Sequence, residues 1–227
     1  LKKDGYVKRY LNFAEIPIGE LPGTWYLLGR VNTTVNELRA CAKDAGLYYG
    51  DNRGNKSFDV KQWRAIKSWT RITKGKSIKK HDAEIMMRYI REIKDHSYRR
   101  TGFWIELPDT QEYDFDGLRD WCGLNLNDEA AAKPWWEILQ RNFTATQTEY
   151  FTRLLKRYGQ GSLDEDPQII IDTIHSVKGG EANNVLLYSK ANYPSSFVNK
   201  KSADDKSDEK RVYYTGATRA RDTLHIL

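Results

Sequence analysis

Short apolar runs separated by glycine and proline organise the first 50 residues of the chain. Residues 25–29 form such a run directly after a Pro-Gly turn signal, which predicts a β-strand. Apolar residues then recur at helical spacing, so we expect a helix capped by Thr33 or Thr34 and ended by Gly46. Residues 47–49 predict a further extended segment.

From about residue 51 to residue 165 the apolar positions, most tryptophans among them, repeat near the period of a helix. Gly159 ends the last of these patterns. We therefore expect a mainly helical region in which the tryptophans and the pair Met86 and Met87 are mostly core residues.

The last part of the chain returns to short strands. Residues 168–173 are a continuous run rich in β-branched residues, which predicts a strand buried on both faces of a parallel sheet. Residues 185–188 predict a second strand, and residues 199–209 a polar loop. A helix from about residue 209 to residue 220 and a strand over residues 223–227 complete the pattern.

Strands that alternate with helices indicate an α/β layer. The first and last parts of the chain both alternate strands with helices, whereas the middle part is predicted to be mainly helical. We therefore predict one α/β domain, residues 1–50 and 166–227, interrupted by a helical insertion over residues 51–165.

Composition narrows the class of protein. Hydrophobic residues make up 39% and charged residues 30% of the chain, as in globular domains, and no apolar run approaches the length of a membrane span. The net charge of +6 favours a polyanionic partner. The two cysteines belong to no metal-spaced cluster, so we expect a cytoplasmic protein. The chain begins without Met, and we expect it to be part of a longer polypeptide.

Residues 173–181, TIHSVKGGE, concentrate polar chemistry directly after a predicted buried strand. Ligands collect at the carboxyl ends of parallel strands, so this cluster is expected to contact one. Its two glycines allow a tight turn or a close approach of the backbone to a ligand.

Residues 208–221 form the second candidate segment, DEKRVYYTGATRAR. Arg219 follows small residues that let a helix end pack tightly. A guanidinium presented there could form forked hydrogen bonds to phosphate oxygens.

These two segments resemble motifs V and VI of UvrD/Rep-type superfamily 1 DNA helicases, and residues 25–32 resemble motif IV. The order of the motifs and the insertion between IV and V agree with that family. The resemblance implies a second motor domain with a RecA-like parallel sheet, in an α/β fold interrupted by the mainly helical insertion.

The resemblance also implies a nucleotide site. Arg30 and Arg219 would be catalytic and reach the γ-phosphate of ATP, Arg219 as the arginine finger. Glu181 would bind the ribose, with Gly179 in the same ATP-binding loop. We expect Arg30, Glu181 and Arg219 to converge at one edge of the sheet.

Thr173, His175 and Lys178 would contact single-stranded DNA, along which the parent enzyme would move in the 3′ to 5′ direction. Tyr214 would pack within the motif VI helix. Two positions depart from the family pattern. Gly29 stands where an aromatic residue often stacks on adenine, and Gly180 stands where leucine is common and would loosen the loop.

No Gly-x-x-x-x-Gly-Lys-Ser/Thr sequence occurs in the chain, and no Asp-Glu pair follows a buried strand. We expect an N-terminal RecA-like domain of the same polypeptide to bind ATP and Mg²⁺, and this chain alone to be inactive with no cofactor bound. A non-catalytic DNA-binding or protein-interaction module, or a subunit of a helicase–nuclease recombination complex, is the alternative.

Several basic residues outside the motifs have two interpretations, contact with DNA phosphates or a solvated helix face. They are the lysines of residues 74–80 and Arg88, Arg91, Lys94, Arg99 and Arg100. The three histidines outside motif V have no partners at metal spacing, and we interpret them as structural.

Overall fold

The protein is described from a computed structural model, over residues 5–90, 112–122, 128–189 and 203–227. The strands are β1 (Tyr6–Arg9), β2 (Trp25–Gly29), β3 (Ile169–Thr173), β4 (Ala182–Leu187) and β5 (Ala220–Ile226). The helices are α1 (Asn32–Asp44), α2 (Val60–Ile72), α3 (Lys80–Met87), α4 (Phe115–Cys122), α5 (Asp128–Ala132), α6 (Trp135–Ile138), α7 (Ala145–Ser162) and α8 (Ala203–Ala217), with a 3₁₀ turn at Phe13–Glu15. Among these helices none combines the length and hydropathy that a membrane crossing requires.

The chain divides into two compact units. The first comprises Leu1–Ser57 and Arg153–Leu227, and it contains all of the described strands. The second comprises Phe58–Thr152 and contains α2 to α6. The boundary after Thr152 falls inside α7.

The described strands form one sheet in the order β1-β5-β4-β2-β3, and every neighbouring pair is parallel. Side chains of β2 alternate between two cores. Trp25 and Leu27 pack on one face of the sheet, and Tyr26 and Leu28 pack on the other. An all-parallel sheet with a core on each face confirms the predicted RecA-like α/β fold class.

Strand β3 lies at an edge of the described sheet rather than between two strands. It pairs with β2 on one side, and on the other side it meets a single residue, Gly50. The Gly50 N–H donates to the Ile169 carbonyl, and the Ile171 N–H donates to the Gly50 carbonyl, each at 2.9 Å. Residues 47–49 do not form the predicted extended strand. Only the next residue, Gly50, pairs with β3, and it satisfies one carbonyl and one N–H group of this edge strand.

Helix α1 begins earlier than predicted. Its N-cap is Val31, not Thr33 or Thr34, yet the Thr34 hydroxyl lies at that end of the helix and donates to the Val31 carbonyl at 2.8 Å. Gly46 follows the end of α1 with a positive φ of 62°, so this prediction is confirmed. Gly159, with a φ of 71°, kinks α7 rather than ending it, because the helix continues to Ser162.

Helix α8 starts at Ala203, so residues 203–209 are helical and not a loop as predicted. Residues 199–202 of the predicted loop lie outside the described residues. The helix also ends at Ala217, three residues before the predicted end, because β5 begins at Ala220. The sequence of the early turns has few apolar residues and so carries no hydrophobic period, but it contains helix formers and no glycine or proline.

The second unit has an aromatic core. Trp63, Trp69 and Trp135 are 3%, 2% and 6% exposed, and Met86 and Met87 are fully buried. These residues are core residues, as predicted. The exception is Trp136, which is 43% exposed.

His225 is a structural histidine in β5 of the first unit. It is 1% exposed, its Nδ1 lies 3.0 Å from the Tyr10 hydroxyl, and its ring stacks on Trp25 at 4.9 Å. Burial lowers the pKa of the imidazole, and the charge of Lys8 lowers it further. Folding therefore favours the neutral form of this histidine.

We predict that the folded chain loses stability as the pH falls below about 6.5, the ordinary histidine pKa. Because the folded-state pKa of His225 is lowered, the unfolded chain takes up this proton first. The stabilisation is complete above the unfolded pKa and is lost as the pH falls through the folded pKa. Chemical denaturation at a series of pH values measures the effect. His225→Phe, which cannot titrate, should have a flatter profile, and equal slopes in both proteins would contradict the prediction.

Candidate functional site

The loop between β3 and β4 carries the motif V residues and crosses the sheet. Because all strands are parallel, β3 ends with Thr173 at the carboxyl edge of the sheet, and β4 begins with Ala182 at the opposite, amino edge. Ile174 and Val177, 1% and 2% exposed, pack in the core on one face of the sheet and hold the loop there. The loop therefore has one end at each edge.

The polar residues of the loop differ in how firmly they are held. The Thr173 hydroxyl accepts a hydrogen bond from the Ser176 N–H at 3.3 Å, and the Thr173 carbonyl accepts one from the Ser176 hydroxyl at 2.8 Å. His175 and Lys178 are exposed. A fixed turn therefore presents an imidazole and an ammonium group to solvent.

Asn52 braces this loop, and no sequence pattern marked it. Its side-chain amide donates to the Ser176 carbonyl at 2.7 Å, and its backbone N–H donates to the Asp172 carboxylate at 3.2 Å. Because Asn52 is 120 residues or more away in the sequence, only the folded structure reveals the contact.

The glycines of motif V make the loop tight. Gly179 has a φ of 86°, which favours glycine. A Cβ on Gly180 would lie 2.6 Å from the Tyr26 hydroxyl oxygen, so the backbone packs directly on that side chain. The expectation that Gly180 loosens the loop is wrong, because the glycine permits this close approach.

Arg219 lies in the turn between α8 and β5 and binds only uncharged oxygens. Its guanidinium donates to the Thr215 carbonyl at 3.1 Å, the Gly180 carbonyl at 3.2 Å and the Thr218 hydroxyl at 3.3 Å. Among the described residues no carboxylate pairs with it. The guanidinium is therefore fixed in place beside motif V while its positive charge stays uncompensated.

Glu181, the last residue of the motif V loop, lies at the same amino edge. Its carboxylate accepts a hydrogen bond from Arg221 Nε at 2.9 Å, and both side chains are more than half exposed. An exposed ion pair of this kind contributes at most about 1 kcal/mol, so a ligand could displace it readily.

Arg30 lies at the other edge of the sheet. It follows the carboxyl end of β2, and its Nε donates to the Glu209 carboxylate of α8 at 3.1 Å. Both side chains are largely buried, 25% and 19% exposed. Glu209 thus compensates the charge of Arg30, a partnership that sequence reasoning missed.

The strand register separates Arg30 from the other two predicted nucleotide contacts. Leu28 pairs with Leu187, so Arg30 is level with residue 189 of the neighbouring strand, eight residues beyond Glu181. At about 3.3 Å per residue, this corresponds to roughly 25 Å. The two guanidinium groups are closer than the backbone, because Arg219 Nε binds the Thr215 carbonyl, six residues or about 9 Å along α8 from Glu209, the partner of Arg30. The structure brings Glu181 and Arg219 together at the amino edge and places the backbone of Arg30 at the carboxyl edge. A contact of Arg30 and Arg219 with one phosphate stays a prediction.

The missing aromatic side chain at Gly29 has a steric explanation. A Cβ there would lie 2.5 Å from the Thr34 hydroxyl oxygen and 2.9 Å from the Val35 nitrogen. Helix α1 therefore packs on the end of β2 so closely that position 29 accepts no side chain.

Tyr214 does not pack within α8 as expected, since it is 72% exposed. Its neighbour Tyr213 packs against the core instead, together with Val212 and Ala217. Burial raises the pKa of the Tyr213 hydroxyl, as does Glu209. The close packing at Gly216, where a Cβ would lie 2.7 Å from Leu187 Cδ2, fixes this face of the helix toward the sheet.

No Mg²⁺ ligand can be assigned within the described ranges. There, no three His, Cys, Asp or Glu side chains are grouped to hold a metal ion.

Comparison with known proteins agrees with the motifs. Residues 126–227 match the family model described as the UvrD-like helicase C-terminal domain. No curated protein matches the chain. The matched range includes β3, the motif V loop, β4, α8 and β5, and these elements have the parallel pairing that the resemblance implied. This segment of the chain is therefore similar to the C-terminal domain of UvrD-like helicases.

Proposed function

We propose that this chain is the second RecA-like motor domain of an ATP-dependent helicase or translocase that moves on single-stranded DNA. By resemblance to the family, the direction is 3′ to 5′. Arg219 acts as the arginine finger, and Glu181 binds the ribose with Gly179 beside it. A P-loop domain of the same polypeptide supplies the phosphate cradle and the Mg²⁺ ligands.

The environment of Arg219 carries this proposal. Three neutral acceptors hold its guanidinium without neutralising it, whereas Arg30 and Arg221 are paired with carboxylates. A fixed, uncompensated guanidinium can stabilise the charge that develops during phosphoryl transfer without reorganising at that moment.

The motif V loop connects the proposed nucleotide-binding residues to the proposed DNA-binding residues. Arg219 binds the Gly180 carbonyl at the amino-edge end of the loop, and Thr173 and His175 lie at its other end. A shift of Arg219 after hydrolysis would pull on a loop that is packed and short, and would alter the position of the DNA-contacting residues. Arg30 is left out of the nucleotide set and ties α8 to β2.

We predict that Arg219→Ala lowers the kcat of DNA-stimulated ATP hydrolysis by roughly 10³-fold or more, as loss of an arginine finger does. The measurement uses the polypeptide that joins this domain to its P-loop domain. Arg219→Lys should recover only part of the rate, because an ammonium group lacks the planar fork. The 227-residue chain alone should not hydrolyse ATP.

Arg211→Ala is the matched control, since Arg211 is an exposed arginine of α8, the helix that precedes Arg219, and forms an ion pair with Asp208. It should retain the wild-type rate. If Arg219→Ala also retained it, the arginine finger would be excluded and a non-catalytic module would be favoured.

We further predict that Arg30 and Glu209 are coupled in stability. A double-mutant cycle with Arg30→Gln and Glu209→Gln should give a coupling free energy of about 0.5–1 kcal/mol in chemical unfolding, as for a partly buried ion pair. Arg30→Gln should reduce ATP hydrolysis far less than Arg219→Ala. If Arg30→Gln lowered kcat as much as Arg219→Ala does, Arg30 would belong to the nucleotide site and the prediction would be wrong.

A further inference from the structure

Residues 51–55 form a turn of the first unit that is closed by its own hydrogen bonds. The Asp51 carboxylate accepts from two backbone N–H groups of the turn, both at 2.9 Å, and from the Asn55 side-chain amide at 2.8 Å. The Asp51 N–H donates to the Asn55 carbonyl at 3.0 Å. Because Gly50 also ties the base of this turn to β3, Asn52 has a defined position beside that strand.

Asn52 links this turn to the motif V loop at two points. Its backbone N–H binds the Asp172 carboxylate at 3.2 Å, and that carboxylate also accepts from the Thr173 N–H at 2.7 Å. Its side-chain amide donates to the Ser176 carbonyl at 2.7 Å. One residue therefore contacts both the end of β3 and the middle of the loop that follows.

Ser176 is held through each of its polar groups. Its N–H and its hydroxyl both donate to Thr173, the N–H at 3.3 Å to the hydroxyl oxygen and the hydroxyl at 2.8 Å to the carbonyl. These two bonds are local and form within the loop itself. The third bond, from Asn52 to the Ser176 carbonyl, comes from another segment of the chain. It therefore fixes the loop relative to the sheet edge rather than to itself.

The position of His175 depends on these contacts. Its neighbour Ile174 and the nearby Val177 are buried, at 1% and 2% exposure, whereas the imidazole is exposed. With the apolar side chains packed in the core and the Ser176 carbonyl bound to Asn52, the backbone around His175 has little freedom to rotate. The direction in which the imidazole leaves the loop is thereby set.

The Asn52 side chain contributes little to the stability of the fold. It is exposed, so its amide exchanges a hydrogen bond with water for one with the protein, and the net gain is small. Substitutions at such surface positions usually change stability little. The consequence of this bond is therefore local, and it falls on the geometry of the motif V loop.

We propose that Asn52 is a positioning residue for the motif V loop. Through the Ser176 carbonyl, its amide holds Thr173 and His175 in the orientation in which they engage single-stranded DNA. The inference rests on the proposed function, in which these two residues contact DNA. Asn52 lies outside motifs IV, V and VI, and its partner is the loop rather than the nucleic acid.

The test measures ATP hydrolysis against the concentration of single-stranded oligo(dT), in the polypeptide that joins this domain to its P-loop domain. We expect Asn52→Ala to raise the DNA concentration for half-maximal stimulation by roughly fivefold, as loss of one neutral hydrogen bond does, while kcat at saturating DNA falls by less than about twofold. A merely structural role would instead lower kcat through the folded fraction and leave the half-saturating concentration unchanged. Asn52→Gln keeps an amide donor and should recover part of the affinity.

Asn55→Ala is the matched control. It removes the same amide group from the same turn, but the bond that it breaks is to Asp51 and not to motif V. It should leave both the half-saturating DNA concentration and kcat at their wild-type values. The proposal is overturned if Asn52→Ala keeps the wild-type half-saturating concentration, or if Asn55→Ala raises it equally.

Amide hydrogen exchange of residues 173–181, followed by mass spectrometry in the same polypeptide, tests the positioning step without relying on the motor. Exchange should be roughly fivefold faster in Asn52→Ala, because local opening of the loop becomes more frequent, and unchanged in Asn55→Ala. Weaker DNA stimulation without faster exchange would also overturn the proposal, since Asn52 would then act without the loop. Arg219→Ala tests the proposed function separately: if that variant keeps its ATP hydrolysis, the motor is rejected whatever Asn52→Ala shows.

Discussion

Parallel pairing of the strands is the constraint on which the rest of the site depends. In a parallel sheet each connection must return from the carboxyl edge to the amino edge before the next strand can begin. The motif V loop makes this crossing between Thr173 and Ala182, and α8 and its following turn reach the amino edge before Ala220. One loop and one helix therefore each span the sheet, which is why Arg219 lies beside Glu181 and the backbone of Arg30 lies far from both.

Much of the fold follows from short-range patterns. The runs at β2, β3 and β4 are apolar because these strands bury side chains on both faces of the sheet, and that signal survives in any context. Gly46 ends α1 and Gly159 kinks α7 because their positive φ angles are costly for other residues. The contacts of Arg219 with Thr215 and Thr218 are local and lie within the motif VI segment.

The remainder depends on contacts between distant residues. β1 is exposed at all four positions and has no alternation, so only its pairing with β5 makes it a strand. Tyr213 and Tyr214 are adjacent and identical, yet Tyr213 is partly buried against the core and Tyr214 is 72% exposed, a difference that only the packing of α8 on the sheet reveals. The separation of Arg30 from Glu181 along the sheet could not be predicted, because a motif states which residues occur together in sequence and leaves the strand register, and hence the edge, undefined.

Arginines of this domain differ chiefly in what compensates their charge. A guanidinium bound to a carboxylate must give up that partner, or share it, before a phosphate can bind at full strength. Arg30 and Arg221 are in this state, whereas Arg219 is oriented by carbonyl and hydroxyl oxygens and keeps its net charge. A group that stabilises a transition state must be held in position without losing its charge. Such a donor is in place before the negative charge develops on the phosphate. The Gly180 carbonyl contributes to this orientation, and a Cβ on Gly180 would lie 2.6 Å from the Tyr26 hydroxyl oxygen, so the glycine and the arginine support the same geometry.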